Sequence, residues 1–204
     1  MTKTSNRERI LTEGLRVVHE RGFANASVRD IVQAAGVPQG SFTNHFASKE
    51  AFGLEILDIY FQNSRRSIAE TLRNDARKPL ERLAAYIDER KDRLNADSMR
   101  NGCLIGNFTA EASENSEPIR SHLMEIYAES RDAVAYCLRA AVAAGELPPA
   151  TDCDDIAGFI VSSLQGAILL SKAYRSPEPM ERFKRVLFSS VLAAPLSPSL
   201  SPRA

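Results

Sequence analysis

A chain of 204 residues, 44% of them hydrophobic, carries enough apolar material for a packed core, which excludes wholesale disorder and leaves room for a small module plus a larger body. Twenty-six Lys/Arg balance twenty-six Asp/Glu, so no global positive charge marks a nucleic-acid binder, and the surplus in residues 1–50, seven basic against five acidic side chains, is too slight to decide anything alone. Frequent Ala, Leu, Glu and Arg with short β-branched runs favour an all-α fold, and three scattered cysteines (Cys103, Cys137, Cys153) exclude a disulfide scaffold and a zinc site.

In chain order, Ile10, Leu11, Gly14, Leu15, Val17 and Val18 recur at helical spacing and predict a first helix over Ser5–Arg21, stopped at Gly22. Ser27 caps a short second helix: its hydroxyl accepts a free N–H of the first turn, and Asp30, three positions on, completes a capping box. Val28, Ile31, Val32 and Ala35 form its inner face; Gly36 ends it and Val37-Pro38 turns the chain. A third helix runs from about Gln39 to His45 with Phe42 and Phe46 inward. Ser48 caps a long fourth helix from Lys49 to about Asn74. Pro79, at a favourable early position, opens a fifth that ends near Asn95. Asn101-Gly102 breaks the chain before a short helix from Cys103 to about Ala112, and Pro118 opens a long one to Ala144, stopped by Gly145. An eighth helix, preceded by the cap Thr151-Asp152, spans about Asp154–Tyr174; a ninth starts at Pro177-Pro179 and ends near Ala193. The Ser/Pro/Leu-rich Pro195–Ala204 is expected to be a disordered tail. The sum is about nine helices and no strand pattern. Met1–Arg9 is polar with no apolar leader behind it. The most apolar stretch, Gly158–Ala173, is interrupted by Ser162, Ser163, Gln165 and Lys172 and reads as too short and too polar to span a bilayer. A cytoplasmic protein with no membrane partner is expected.

Two short helices joined by a Gly-containing turn and braced by a preceding helix form the helix-turn-helix pattern. The residues that fill it are Ser27-Val28-Arg29-Asp30-Ile31, Ala34-Ala35-Gly36-Val37, Gly40-Ser41-Phe42, His45-Phe46 and Ser48-Lys49-Glu50, with Arg9-Ile10-Leu11 and Gly22-Phe23 before them. They resemble the signature of the TetR family of transcriptional regulators over about residues 7–55; beyond these, the likeness lies in helix number and order. The resemblance implies a three-helix DNA-binding domain over 1–48 and a ligand-sensing and dimerisation domain over 49–194. It further implies a homodimer on palindromic double-stranded operator DNA, and repression relieved by an inducer. A major groove about 12 Å wide admits one α-helix, so the third helix offers Gln39, Ser41 and Asn44 to base edges, Gln39 through its amide to adenine or to a phosphate. The resemblance implies phosphate contacts from Ser27, Thr43, His45 and Lys49, and Val28 and Gly40 complete the DNA-facing set. Thr43 stands where the family often has Tyr, and Gln39 where Lys or Arg is common, so this recognition helix is less basic than usual.

The last two helices carry apolar stripes: Ile156, Phe159, Ile160, Ser163, Leu164 and Ala167 on one, Val186, Leu187, Ser190 and Val191 on the other. The resemblance implies that they form an intersubunit four-helix bundle; by themselves the stripes read equally as internal core. Candidate pocket residues are Tyr60, Tyr86, Phe108, Tyr127 and Gln165, each also readable as core. Asn101-Gly102-Cys103-Leu104 puts Cys103 at the first turn of a helix, where free N–H groups stabilise a thiolate. The Gly-Cys-Leu segment looks like a branch of the family that includes sensors of electrophiles and oxidants. Cys103 thus reads as a reactive sensor or as a small buried apolar residue; Cys137 and Cys153 lack the placement and read as structural. The three His, at 19, 45 and 122, are dispersed, and no HExxH, CxxC or Gly-rich phosphate loop occurs, so no enzymatic activity, metal or cofactor is expected. The alternative to an operator-binding regulator is a protein-interaction module of the same fold that has lost DNA binding.

Overall fold

Side chains at fixed spacings set where the helices begin. Ser5 Oγ accepts the Glu8 N–H at 3.2 Å while Glu8 Oε2 accepts the Ser5 N–H at 2.8 Å, starting α1 (Asn6–Arg21). Ser27 and Asp30 repeat the exchange at 3.1 and 3.0 Å and start α2 (Val28–Ala34), as their spacing predicts. The computed structural model describes residues 5–112 and 114–193; the 195–204 tail lies outside them. After α3 (Gly40–His45) come α4 (Lys49–Glu70), α5 (Pro79–Asn95), α6 (Leu104–Ala112), α7 (Glu117–Ala143), α8 (Cys153–Tyr174) and α9 (Glu178–Val186). The described residues are all-helical, with nine α-helices and no strand.

Two boundaries differ from the periodicity. α4 stops at Glu70, before the expected Asn74, because Asn74 turns back on it: its Nδ2 donates to the Glu70 carbonyl at 3.2 Å, and the Arg73 N–H reaches Ile68 O at 3.0 Å. The last helix widens after Val186 into a π-helical turn over Leu187–Val191. α8 keeps its expected bounds to within one residue, since Asp152 Oδ1 accepts the Asp154 and Asp155 N–H groups and caps it. At 22 residues it is long and apolar enough, by length and composition alone, to cross a bilayer, a test that a core helix also passes; here it is a packed helix with Ala157, Ile160 and Ser171 fully buried.

The chain divides into two compact units. Among the described residues, one comprises those up to Arg66 with those of Met99–Tyr127; the other comprises Ser67–Ser98 and those from Ala128 onward. In the first, Phe42, Phe46 and Phe52 stack on one another with centroids 5.1–5.5 Å apart, all but inaccessible to water. Burying each such ring contributes about 2–3 kcal/mol, and the edge-to-face contact of Phe46 with Phe52 adds to that. α1 crosses the cluster at Gly14: a Cβ there would stand 2.5 Å from Phe52 Cζ and 2.9 Å from Ile31 Cγ2. In the second unit, Leu83, Tyr86 and Ile87 of α5, Val134 and Leu138 of α7, Ile160 of α8 and Met180 of α9 are buried. Lys184 of α9 donates to Asp88 of α5 at 2.6 Å.

Gly14→Ala is expected to destabilise the protein by roughly 1–3 kcal/mol, because a close-packed ring must move to admit the methyl. Thermal unfolding followed by circular dichroism checks it; an unchanged midpoint would contradict this packing.

Candidate nucleic-acid interface

Residues 36–38 turn the chain between α2 and α3. Gly36 adopts φ +62°, and Arg9 Nη2 donates to its carbonyl at 3.1 Å, so close that a Cβ would stand 2.8 Å from that nitrogen. The turn fixes α3 with Phe42 inward and Gln39, Gly40, Thr43, Asn44 and His45 exposed. Ser41, expected to face bases, instead turns toward α1: it is 9% exposed, with Asn6 Nδ2 3.5 Å from its Oγ. The reason is that α3 rests on its 41–42 edge. Thr43 is exposed, but its one hydroxyl proton goes to the Gly40 carbonyl at 3.1 Å, so a phosphate would have to compete for it. Ser27 is exposed at the α2 N-terminus, and Val28 is half-buried beside it.

Charge pairing sorts the cations of this segment. Arg7 pairs with Glu55, Arg16 with Glu13 and Glu20, Arg21 with Asp30, and Arg9 is held by Gly36 O. The Lys49 ammonium lies 4.7 Å over the Phe23 ring and 3.4 Å from Ala24 O; burial lowers its pKa, opposed by the charge of Glu111. One donor of Lys49 is thus engaged while the side chain stays partly exposed. Among described residues 5–50, Arg29 alone of the basic side chains has no partner, and it is exposed in the first turn of α2. Sequence reasoning passed over Arg29, although its signal was present: with Val28, Ile31 and Val32 turned inward, position 29 must point out.

The sensing candidates divide between the units. In the first, Cys103 is 5% exposed and caps α6, its carbonyl accepting the Asn107 N–H at 2.9 Å, so it sits one residue before the helix rather than inside its first turn. Tyr127 lies near enough for a charge on Cys103 to oppose its ionisation; burial is the larger cause of its raised pKa, and its hydroxyl is 3.1 Å from Thr109 Oγ1. Tyr60 meets His19 edge-on at 5.5 Å, and Phe108 is fully buried at 4.6 Å from Phe23, a core position. In the second unit, Tyr86 is 2% exposed and its hydroxyl accepts from Arg90 Nη2 at 2.6 Å, while Gln165 is half-buried. Burial raises the Cys153 thiol and pushes that of Cys137 up to about 11, which suits structural roles.

Of the apolar stripes, Ile156, Ile160, Leu164, Ala167 and Leu187 are buried within the second unit. Phe159, Ser163, Val186 and Val191 are partly or largely open and line an apolar groove with Gly166, Leu170 and Phe183; Ser190 is exposed but does not line it. Phe159, Leu169, Leu170 and Val186 are each 45–65% exposed, so the open face is rotated from the stripe read in the sequence. An amphipathic helix with two apolar sides shows only one of them to water, and periodicity does not say which.

A short helix seated on buried rings, its polar face outward beside a capped helix N-terminus, defines a helix-turn-helix DNA-binding protein. Residues 10–56 match the model for bacterial regulatory proteins of the tetR family, and residues 79–187 match that of the tetracyclin repressor-like C-terminal domain. The chain is 36% identical to the HTH-type transcriptional repressor DhaR of Mycobacterium sp. (strain GP1), over 94% of this chain and 95% of that protein. It superposes on the crystal structure of a regulatory protein TetR from Rhodobacter sphaeroides with TM-score 0.85 and 28% identity, covering 90% of this chain and 97% of that one. It also superposes on the reduced form of Escherichia coli NemR with TM-score 0.79 and 26% identity, covering 93% and 99%. The chain belongs to the TetR family and is a DNA-binding transcriptional regulator.

Ser27→Ala tests the α2 cap. Hydrogen bonds from Ser27 hold the Asp30 carboxyl below its usual pKa, so their stabilisation is complete above the unfolded-state value of about 3.9 and fades as pH falls through the lower folded value. The urea midpoint of Ser27→Ala is expected below that of the wild type at neutral pH, with the gap narrowing in acid; a gap that widens in acid would contradict the assignment.

Proposed function

We propose that this chain is a cytoplasmic, homodimeric repressor that acts by binding rather than catalysis. Each protomer lays α3 in the major groove of one operator half-site. Gln39 and Asn44 face base edges, while Ser27, Thr43, His45 and Arg29 face the backbone, with Val28 and Gly40 close to it. The observation that carries this reading is Arg29: in a segment whose other described cations are engaged, an exposed unpaired arginine beside the α2 N-terminus has phosphate as its natural counter-charge. Dimerisation is supported by the exposed groove between α8 and α9, where Phe159, Leu170 and Val186 await cover. Lys49 takes part in the interface through its packing on Phe23 and only secondarily through its charge.

Relief of repression admits two routes: a small molecule held in the sensing half, or covalent modification of Cys103. Cys103 stands at the N-terminus of α6, and one of the chain's relatives is known in a reduced form. Its near-complete burial favours the structural role.

With a duplex selected by the wild-type chain from a random library, Arg29→Ala should weaken binding and reduce the slope of log K against log salt by about one, the signature of one lost phosphate contact. An unchanged slope would remove Arg29 from the interface. If Cys103 is the sensor, Cys103→Ser binds this duplex normally yet fails to release it on treatment with N-ethylmaleimide; release as complete as in the wild type leaves noncovalent ligand binding as the route.

A further inference from the structure

Glu111 lies on α6, at the far end of that helix from Cys103, yet it reaches the helix-turn-helix. Its Oε2 accepts the Ala24 N–H at 3.0 Å, a donor left without a helical partner where α1 ends. The backbone comes this close because Gly22, at φ +86°, has no side chain: a Cβ there would stand 2.6 and 2.7 Å from the two carboxylate oxygens. The neighbouring groups of the same turn are also taken. The Phe23 ring rests on Phe108 of α6 and on Gly53 of α4, where a Cβ would stand 2.8 Å from the ring, and the Lys49 ammonium covers the ring and faces Ala24 O. Residues 22–24 are thus gripped by their N–H, ring and carbonyl, and Ser27 and Arg29 follow directly. The opposite end of α6 is tied to α1 as well, since His19 Nε2 stands 3.0 Å from the carbonyl of Gly102.

We infer that Glu111 is a positioning residue for operator binding: without touching DNA, its carboxylate holds the α1–α2 turn so that α2 meets the phosphate backbone in register with α3. The inference rests on operator binding as proposed above. Because Glu111 and the residue after Cys103 share one helix, any displacement of α6 withdraws the carboxylate from Ala24 and loosens α2.

Two effects of Glu111 on affinity have opposite signs, which makes the role measurable. A negative charge in a DNA-binding unit repels phosphate, so by charge alone Glu111→Ala tightens binding. By positioning it weakens binding, roughly fivefold to tenfold for the loss of one charge-assisted hydrogen bond, with the salt slope unchanged. Glu111→Gln keeps a carbonyl acceptor and loses the charge, and should bind at least as tightly as the wild type. Fluorescence anisotropy with the duplex selected by the wild-type chain reads all three. Glu111→Ala binding as tightly as the wild type, or Glu111→Gln falling with it, would overturn the inference. Amide hydrogen exchange at Ala24 in the free protein gives a reading independent of DNA. Protection is expected in the wild type and Glu111→Gln and lost in Glu111→Ala; equal protection in all three overturns the clamp. A wild-type chain that selects no duplex would refute operator binding instead, with the exchange rates still deciding the clamp.

Discussion

A recognition helix of six residues cannot hold its own shape in water, because helix nucleation costs more than so few hydrogen bonds return. α3 therefore depends on what lies beneath it: the mutual packing of Phe42, Phe46 and Phe52. One ring comes from α3, one from its C-terminal cap and one from α4, so the long helix and the recognition helix share a single buried object. Gly14 is the matching concession of α1, bare so that the rings can reach across it. Through Phe52 the orientation of α3 is tied to that of α4, and α4 continues out of this unit into the second.

Charge works with the same economy. A chain with zero formal net charge has no broad field to draw it to DNA, and within residues 5–50 most described cations neutralise carboxylates or brace turns. What remains for a phosphate is local: the free N–H groups of a capped helix and one unpaired arginine. A single module of this kind binds weakly, which places the weight of affinity on two-fold repetition. The exposed apolar side of α8 and α9 is what such repetition requires.

Local chemistry was the most legible part of the sequence. Ser27 with Asp30, Gly22, Gly36, Pro79 and Asp152 act through their own backbone neighbours, so spacing alone places them, and the positions of nine helices follow. Orientation around a helix was legible only where one face was plainly apolar. Ser41 looked polar and therefore outward, but a hydroxyl is small enough to turn into the edge against Asn6. Lys49 looked free because its seat on Phe23 and Ala24 involves residues about 25 positions earlier, a contact that no local pattern encodes. The stripes of α8 and α9 were legible as apolar but not in their orientation: each mixes residues that lie inside the packed unit, such as Ile160 and Leu187, with residues that lie outside, such as Phe159 and Val186. Glu111 gave no signal at all, because a lone glutamate on a helix reads as a solvated face until Gly22 is brought beside it.

The central claim is that two copies of this chain read one operator through their α3 helices. Hydroxyl-radical footprinting on the selected duplex tests it most directly. Two protected segments related by a two-fold axis, with their centres about one helical turn or a small multiple of it apart, are the predicted result. Protection of a single segment, or none at concentrations where the chain is folded, would contradict it.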